Sequence, residues 1–189
     1  MDTFAREAER VGRFPKNFRW GYWISLIGAA SLLALFVRSF VLSPVKVTGN
    51  SMEPALHDGN EVLVRKFGRI RRFDVVIFTL PDGATYVKRI IGLPGDSIAY
   101  RNDVLYVNGR AVSEKFLDDV KKQYETYTSD FSLKELTGRR TVPENQYFVL
   151  GDNRRISKDS RTIGTIREEW ISGRVLADYW PAGSFRIFK

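Results

Sequence analysis

The 189-residue sequence predicts a mainly β domain preceded by one N-terminal transmembrane helix. Three observations carry that prediction. Beyond Pro44 the chain breaks into short apolar runs, alternating or β-branched, separated by turn chemistry. Before it, residues 20–37 (WGYWISLIGAASLLALFV) form a stretch with no formal charge. Five basic residues, Arg6, Arg10, Arg13, Lys16 and Arg19, all precede that stretch.

At about 1.5 Å per residue the uncharged stretch reaches roughly 27 Å as a helix, close to the ~30 Å hydrocarbon core. Arg38 can snorkel to the interface while Ser39, Phe40, Val41 and Leu42 continue the span, which sets its bounds at 20–42. Trp20, Tyr22 and Trp23 sit at one end, where amphipathic rings favour the headgroup layer. A cleaved signal peptide would place its small residues after the apolar run, whereas Ala29, Ala30 and Ser31 lie inside it. A buried core helix would show a polar face, and none is present. The basic flank assigns residues 1–19 to the cytoplasm and residues 43–189 to the outside, a single-pass type II arrangement.

In the outer domain, strands are predicted at 45–48, 61–66, 75–79, 85–91, 97–101, 104–107, 146–150 and 174–179. Turn chemistries separate them, among them Pro81-Asp82-Gly83, Pro94-Gly95-Asp96 and Gly151-Asp152-Asn153. Asn108-Gly109 between 104–107 and 110–112 predicts a two-residue hairpin. Residues 113–138 break the pattern. They are polar, with weak helical spacing at Leu117, Val120 and Tyr124, and read as an insertion on the β scaffold.

Composition narrows the chemistry. The absence of Cys removes disulfides, thiolate nucleophiles and thiolate metal sites together. A lone His57 argues against a zinc centre, and no metal or cofactor is expected. The net charge of +8 is spread along the chain, with basic clusters only at 69–72, 139–140 and 154–155. Beside a membrane span, that charge suits anionic phospholipid better than nucleic acid.

Two residues stand out for nucleophilic chemistry. Ser51 follows Gly49 and precedes Pro54, a combination that favours a tight, rigid bend with exposed backbone N–H groups. The same residue also reads as a turn serine bonding its own backbone. Lys88 lies in the apolar run Tyr86-Val87-Lys88-Arg89-Ile90-Ile91. Burial would lower its pKa toward the range of a general base, while a solvated edge strand would leave it an ordinary lysine. Arg89, facing the other way, stays protonated. His57 lies in a His-Asp-Gly-Asn turn that points to solvent. The stretch from Gly151 to Arg161, with two Asp, two Ser and three Arg, reads either as a hydrogen-bonded brace or as a surface loop.

Taken together, the N-terminal span, Ser51-Met52-Glu53-Pro54-Ala55-Leu56, the segment 72–78 (RFDVVIF), the segment 86–96 (YVKRIIGLPGD) and the 151–161 box (GDNRRISKDSR) resemble bacterial type I signal peptidases, in the family's order. The resemblance runs from about residue 20 to the C-terminus, excepting 113–138. It implies a signal-peptidase/LexA-like β fold and a serine endopeptidase of the bacterial cell membrane. Such an enzyme cleaves signal peptides from preproteins after small residues of Ala-X-Ala type. Its partners would be preprotein signal peptides and the phospholipid membrane, with no nucleic acid.

By the same match Ser51 would be the nucleophile and Lys88 the general base. Ser157 would hydrogen-bond Lys88, Asp159 and Arg161 would form an ion pair beside the site, and Asp152 would support it. Val45, Val47, Met52, Leu56, Tyr86 and Val87 would line apolar subsites. The chain departs from the family's pattern at Ala55, where Thr is usual, and at Ile156, where Asn is frequent. Gly49 replaces a hydroxyl that some members use as an oxyanion donor, so backbone N–H groups, including that of Ser51, would serve instead. Eukaryotic and archaeal relatives carry His where this chain has Lys88. A self-cleaving repressor protease would need a DNA-binding domain upstream, and a non-catalytic anchored module would tolerate loss of Ser51 and Lys88.

Overall fold

A computed structural model describes residues 20–36 and 42–188, in two compact units whose border falls between Phe40 and Val41. Within the first unit, α1 (Trp20–Phe36) is a 17-residue helix without a charged side chain. At about 1.5 Å per residue it is roughly 26 Å long. Among the described residues no helix is long and apolar enough to cross a membrane. The predicted span of 20–42 is corrected at its C-terminal end: Leu42 already belongs to a strand, where it pairs with Arg65. Residues 1–19, predicted as a cytoplasmic tail, and residues 37–41 lie outside the described residues.

The second unit is mainly β, as its alternating pattern predicts. Its strands are β1 (Leu42–Lys46), β2 (Glu61–Arg65), β3 (Val75–Thr79), β4 (Thr85–Gly92), β5 (Ile98–Arg101) and β6 (Val104–Val107). There follow β7 (Arg110–Val112), β8 (Phe131–Ser132), β9 (Gln146–Leu150), β10 (Ile166–Arg167), β11 (Ile171–Trp180) and β12 (Arg186–Ile187). Short helices are α2 (Asp118–Lys121), α3 (Leu133–Thr137) and α4 (Ser160–Ile163). The larger sheet runs β1-β2-β11-β3-β4-β9-β10, with β12 beside β11, and the smaller runs β7-β6-β5-β8.

Local chemistry accounts for the turns. Asn108 and Gly109 both take positive φ, 52° and 75°, as the predicted hairpin between β6 and β7 requires. The segment 113–138 is integral to the smaller sheet rather than appended to it. It supplies β8, which pairs with β5 through Ala99↔Ser132 and Tyr100↔Phe131. Its helix α3 starts with a capping box, in which Ser132 Oγ accepts from the Glu135 N–H and the Glu135 carboxylate accepts from the Ser132 N–H. The two-residue strands β8, β10 and β12 are too short to carry a periodic signal, so the alternating pattern misses them.

Three apolar clusters hold the unit together. One lies between the smaller sheet and β9, around Tyr100, Leu105, Leu133 and Phe148. A second underlies the segment following β1, with Val47, Met52, Leu56, Val75 and Ile77. A third joins Val76, Phe78, Ile90 and Ile166 on the other side of β3 and β4. Strand β4 therefore has apolar packing on both faces, the condition that drives a lysine within it out of water. Phe148 is fully buried in the first cluster, so Phe148→Ala removes its packing and leaves a cavity. Urea denaturation is expected to show a loss of about 3–5 kcal/mol.

Candidate active site

Ser51 is carried by a turn clamped to the core. Gly49 takes φ +83°, open to glycine, and its N–H donates to Asp58 Oδ1 at 2.7 Å. Beyond it the Glu53 N–H donates to Asn50 O at 3.3 Å and the Leu56 N–H to Met52 O at 2.9 Å. Met52 and Leu56, 1% and 0% exposed, pin this turn onto the second cluster. Among the described residues the Ser51 N–H makes no hydrogen bond, which leaves it free to bind a developing negative charge.

Lys88 reaches Ser51 from β4. Its backbone pairs with Val76 of β3, and its Nζ lies 2.8 Å from Ser51 Oγ and 3.0 Å from Val87 O. The residue is 2% exposed. Burial lowers its pKa from 10.5 to about 8, against the opposing pull of the Asp159 and Asp152 carboxylates. The Tyr86 ring, 5.4 Å from Nζ, walls one side. His57 takes no part here: its exposed side chain turns toward Glu53, 3.4 Å away.

The stretch after β9 braces both residues. Asp152 forms a buried, bidentate pair with Arg89, from the strand position next to Lys88. Asp159 pairs with Arg161 at 2.8 Å and 2.9 Å, caps α4, and accepts from the Gly151 N–H at 3.0 Å. The Asn153 N–H donates to Ser51 O at 3.1 Å, which ties the two loops together. This approach is close: a Cβ built on Gly151 would lie 2.5 Å from Ser51 O and 2.1 Å from Ser157 Oγ.

Several sequence expectations change. Ser157 makes no hydrogen bond to Lys88 here. Its hydroxyl oxygen is buried without a partner among the described residues, packed instead against Gly151. Val47, Met52 and Leu56 are core residues, so they form a floor beneath the site rather than open subsite walls. Val45 and Val87 are only partly buried where they pack against that cluster, as is Phe188. Tyr86 packs with the third cluster, stacked on Phe78, although its ring borders Lys88. Arg89, expected only to face away from Lys88, proves to be 6% exposed and paired with Asp152. A charged residue beside Lys88 in an apolar run was the available signal. Its partner lies 63 positions further on, beyond the reach of any local pattern.

Strand β9 meets β4 only at Arg89, Ile90 and Gly92, so its pairing stops short of Lys88. A backbone edge, a partly exposed apolar surface at Val45 and Val87, and the hydroxyl–amine pair therefore adjoin one another. Among the described residues no cluster of His, Asp and Glu is grouped as a metal ion requires.

Comparisons with known proteins place the chain in a family. The profile of the family described as Signal peptidase, peptidase S26, matches residues 20–180. A Signal peptidase I of Bacillus caldolyticus is 43% identical over 186 residues, covering 95% of this chain and 97% of that protein. Signal peptidase I V of Bacillus subtilis is 48% identical over 164 residues, covering 83% and 96%. The crystal structure of a signal peptidase I from Enterococcus faecalis superposes with a TM-score of 0.54 at 44% identity, over 57% of this chain and 97% of that one.

Two stability changes follow from the geometry. Asp152→Ala leaves the buried Arg89 charge unpaired and should cost about 3–5 kcal/mol in chemical denaturation. Lys88→Met should act the other way. Between about pH 8 and 10.5 the unfolded chain holds a proton that folded Lys88 has released, so this residue's contribution to stability rises with pH. Below that window the burial cost of the ammonium is felt in full, and Lys88→Met is expected to stabilise the protein by up to about 3 kcal/mol at pH 7.

Proposed function

The chain belongs to the signal peptidase family, peptidase S26, and is a serine peptidase; on that premise we propose that it removes signal peptides from exported preproteins through Ser51 and Lys88. One observation carries the assignment of the pair: a buried amine 2.8 Å from a serine hydroxyl, with its pKa depressed to about 8.

In this reading the preprotein's cleavage segment lies extended along the free edge of β4 at Tyr86, Val87 and Lys88. Its side chains rest on Val45 and Val87, above the floor of Val47, Met52 and Leu56. So shallow a surface favours small residues before the scissile bond, of Ala-X-Ala type. Neutral Lys88 accepts the Ser51 hydroxyl proton as Oγ attacks the substrate carbonyl, and the Ser51 N–H helps to hold the oxyanion. Protonated Lys88 then gives that proton to the leaving amine, releasing the mature protein. The regenerated amine takes a proton from water as that water attacks the ester, then returns it to Ser51 Oγ as the ester bond breaks and the signal peptide leaves.

Asp152 and Asp159, each bound to its own arginine, fix the loop against Ser51; they support the site without reacting. Ser157, a buried hydroxyl with an open hydrogen-bonding capacity, is assigned the role of orienting Lys88 once substrate is bound. Residues 20–36, with the apolar residues that follow, anchor the enzyme in the bacterial cell membrane. The basic residues 1–19 stay in the cytoplasm and the β domain outside. A helix of about 26 Å is slightly short of a ~30 Å core, a mismatch that local thinning accommodates. No cofactor enters the proposed chemistry.

Ser51→Ala and Lys88→Ala should each abolish cleavage of a preprotein with an Ala-X-Ala site, whereas His57→Ala should leave it intact. Survival of activity in Lys88→Ala would overturn the base assignment. Because the amine reacts only when neutral, kcat/KM should rise with pH and level off above about 8. Alkaline extraction should leave the full-length protein in the membrane fraction and release a form lacking residues 1–36.

A further inference from the structure

The segment 113–138 feeds side chains directly into the loop that holds Ser51. Glu114, 4% exposed, binds the guanidinium of Arg154, which is 2% exposed, at 2.5 Å. The same guanidinium donates to Tyr100 Oη at 2.5 Å and Thr128 Oγ1 at 3.3 Å, and Tyr100 Oη in turn donates to Glu114 Oε1 at 2.6 Å. Lys121 closes the far side, 3.3 Å from Glu114 Oε2. Arg154 Nε then donates back to Gly151 O at 3.0 Å, and Tyr127 Oη donates to Asp152 O at 2.9 Å. These are the two carbonyls immediately before Asn153, whose N–H holds Ser51 O.

We propose that Glu114 and Tyr127 are positioning residues, which act through the loop 151–154 to set where Ser51 lies relative to Lys88. The inference rests on the reading of Ser51 and Lys88 as the reactive pair. Its physical ground is that Glu114 is held by Arg154, Tyr100 and Lys121, and Arg154 by Glu114, Tyr100, Thr128 and Gly151 O. Arg154 cannot leave Glu114 without stranding a charge in the interior, so its Nε has one place from which to bind Gly151 O. Tyr127 fixes the next carbonyl of the same segment. The 153 N–H is thereby aimed at Ser51 O, and the Cβ-free Gly151 lets the two backbones meet. A relaxation of about 1 Å in this loop would move the Ser51 hydroxyl off the amine, an error large enough to slow chemistry severely.

A purely architectural role makes a different prediction, namely lower stability with unchanged turnover. The two are separated by measuring kcat, KM and the thermal midpoint of the full-length enzyme in detergent, with an Ala-X-Ala peptide as substrate. Tyr127→Phe removes one hydrogen bond at constant shape, and Glu114→Gln removes the charge. Both should lower kcat at least about five-fold at temperatures well below their midpoints, with KM within about two-fold of the parent. Val107→Ala, a core change in the same sheet, should lower the midpoint and leave kcat alone. If Glu114→Gln fails to fold, Tyr127→Phe decides by itself. An unchanged kcat in Tyr127→Phe overturns the proposal. Ser51→Ala, run alongside, keeps the two ideas apart: activity surviving that change would sink the assignment of the reactive pair, whatever the positioning variants do.

Discussion

The base proposed here is an amine, which can act only when short of its proton, and in this fold burial lowers the Lys88 pKa toward that condition. Strand β4 has apolar clusters on both faces, the Tyr86 ring lies beside Nζ, and the Ser51 turn covers what remains. None of these contacts is exotic. What matters is that they converge on a single nitrogen, while the turn bearing the serine is fastened to the same core by Met52 and Leu56. The hydroxyl and the amine are thus held by independent parts of the chain that share one floor.

Two carboxylates work against that arrangement. Asp159 and Asp152 both pull the Lys88 pKa upward, and bare carboxylates in a dry setting would go far toward restoring an ordinary lysine. Each is instead bound by its own guanidinium, Arg161 and Arg89 respectively. The ion pairs supply hydrogen-bond acceptors and rigidity to the 151–161 stretch and set a positive charge directly against each carboxylate.

The sequence made the strands visible where alternating or continuous apolar and β-branched residues stand between turn signals. Val75–Thr79, Val104–Val107, Arg110–Val112 and Gln146–Leu150 fall where the pattern puts them. The Ser51–Lys88 contact was legible as a candidate because a lysine in an apolar run joined a serine at a bend, and the family likeness paired the two. The segment 113–138 was not legible. Glu114, Tyr127 and Thr128 are buried through hydrogen bonds and charge rather than as an apolar stripe, so their burial leaves no periodic trace. The same holds for Arg89 and Arg154, whose partners are 63 and 40 positions distant. Ser157 illustrates the converse: a family likeness gives it a bond to Lys88, whereas its hydroxyl is buried beside Gly151 without a partner among the described residues.

Gly151 has an uncommon kind of indispensability. It is absent from the glycines with left-handed torsions, so its requirement is one of space alone. Two obstacles surround it, a side chain at Ser157 and a main-chain oxygen at Ser51. Trimming residue 157 to glycine would clear the first. No replacement of Ser51 can clear the second, because every amino acid carries a carbonyl. A genetic search for compensating changes to Gly151→Ala should therefore return revertants at that codon and no suppressors at its neighbours.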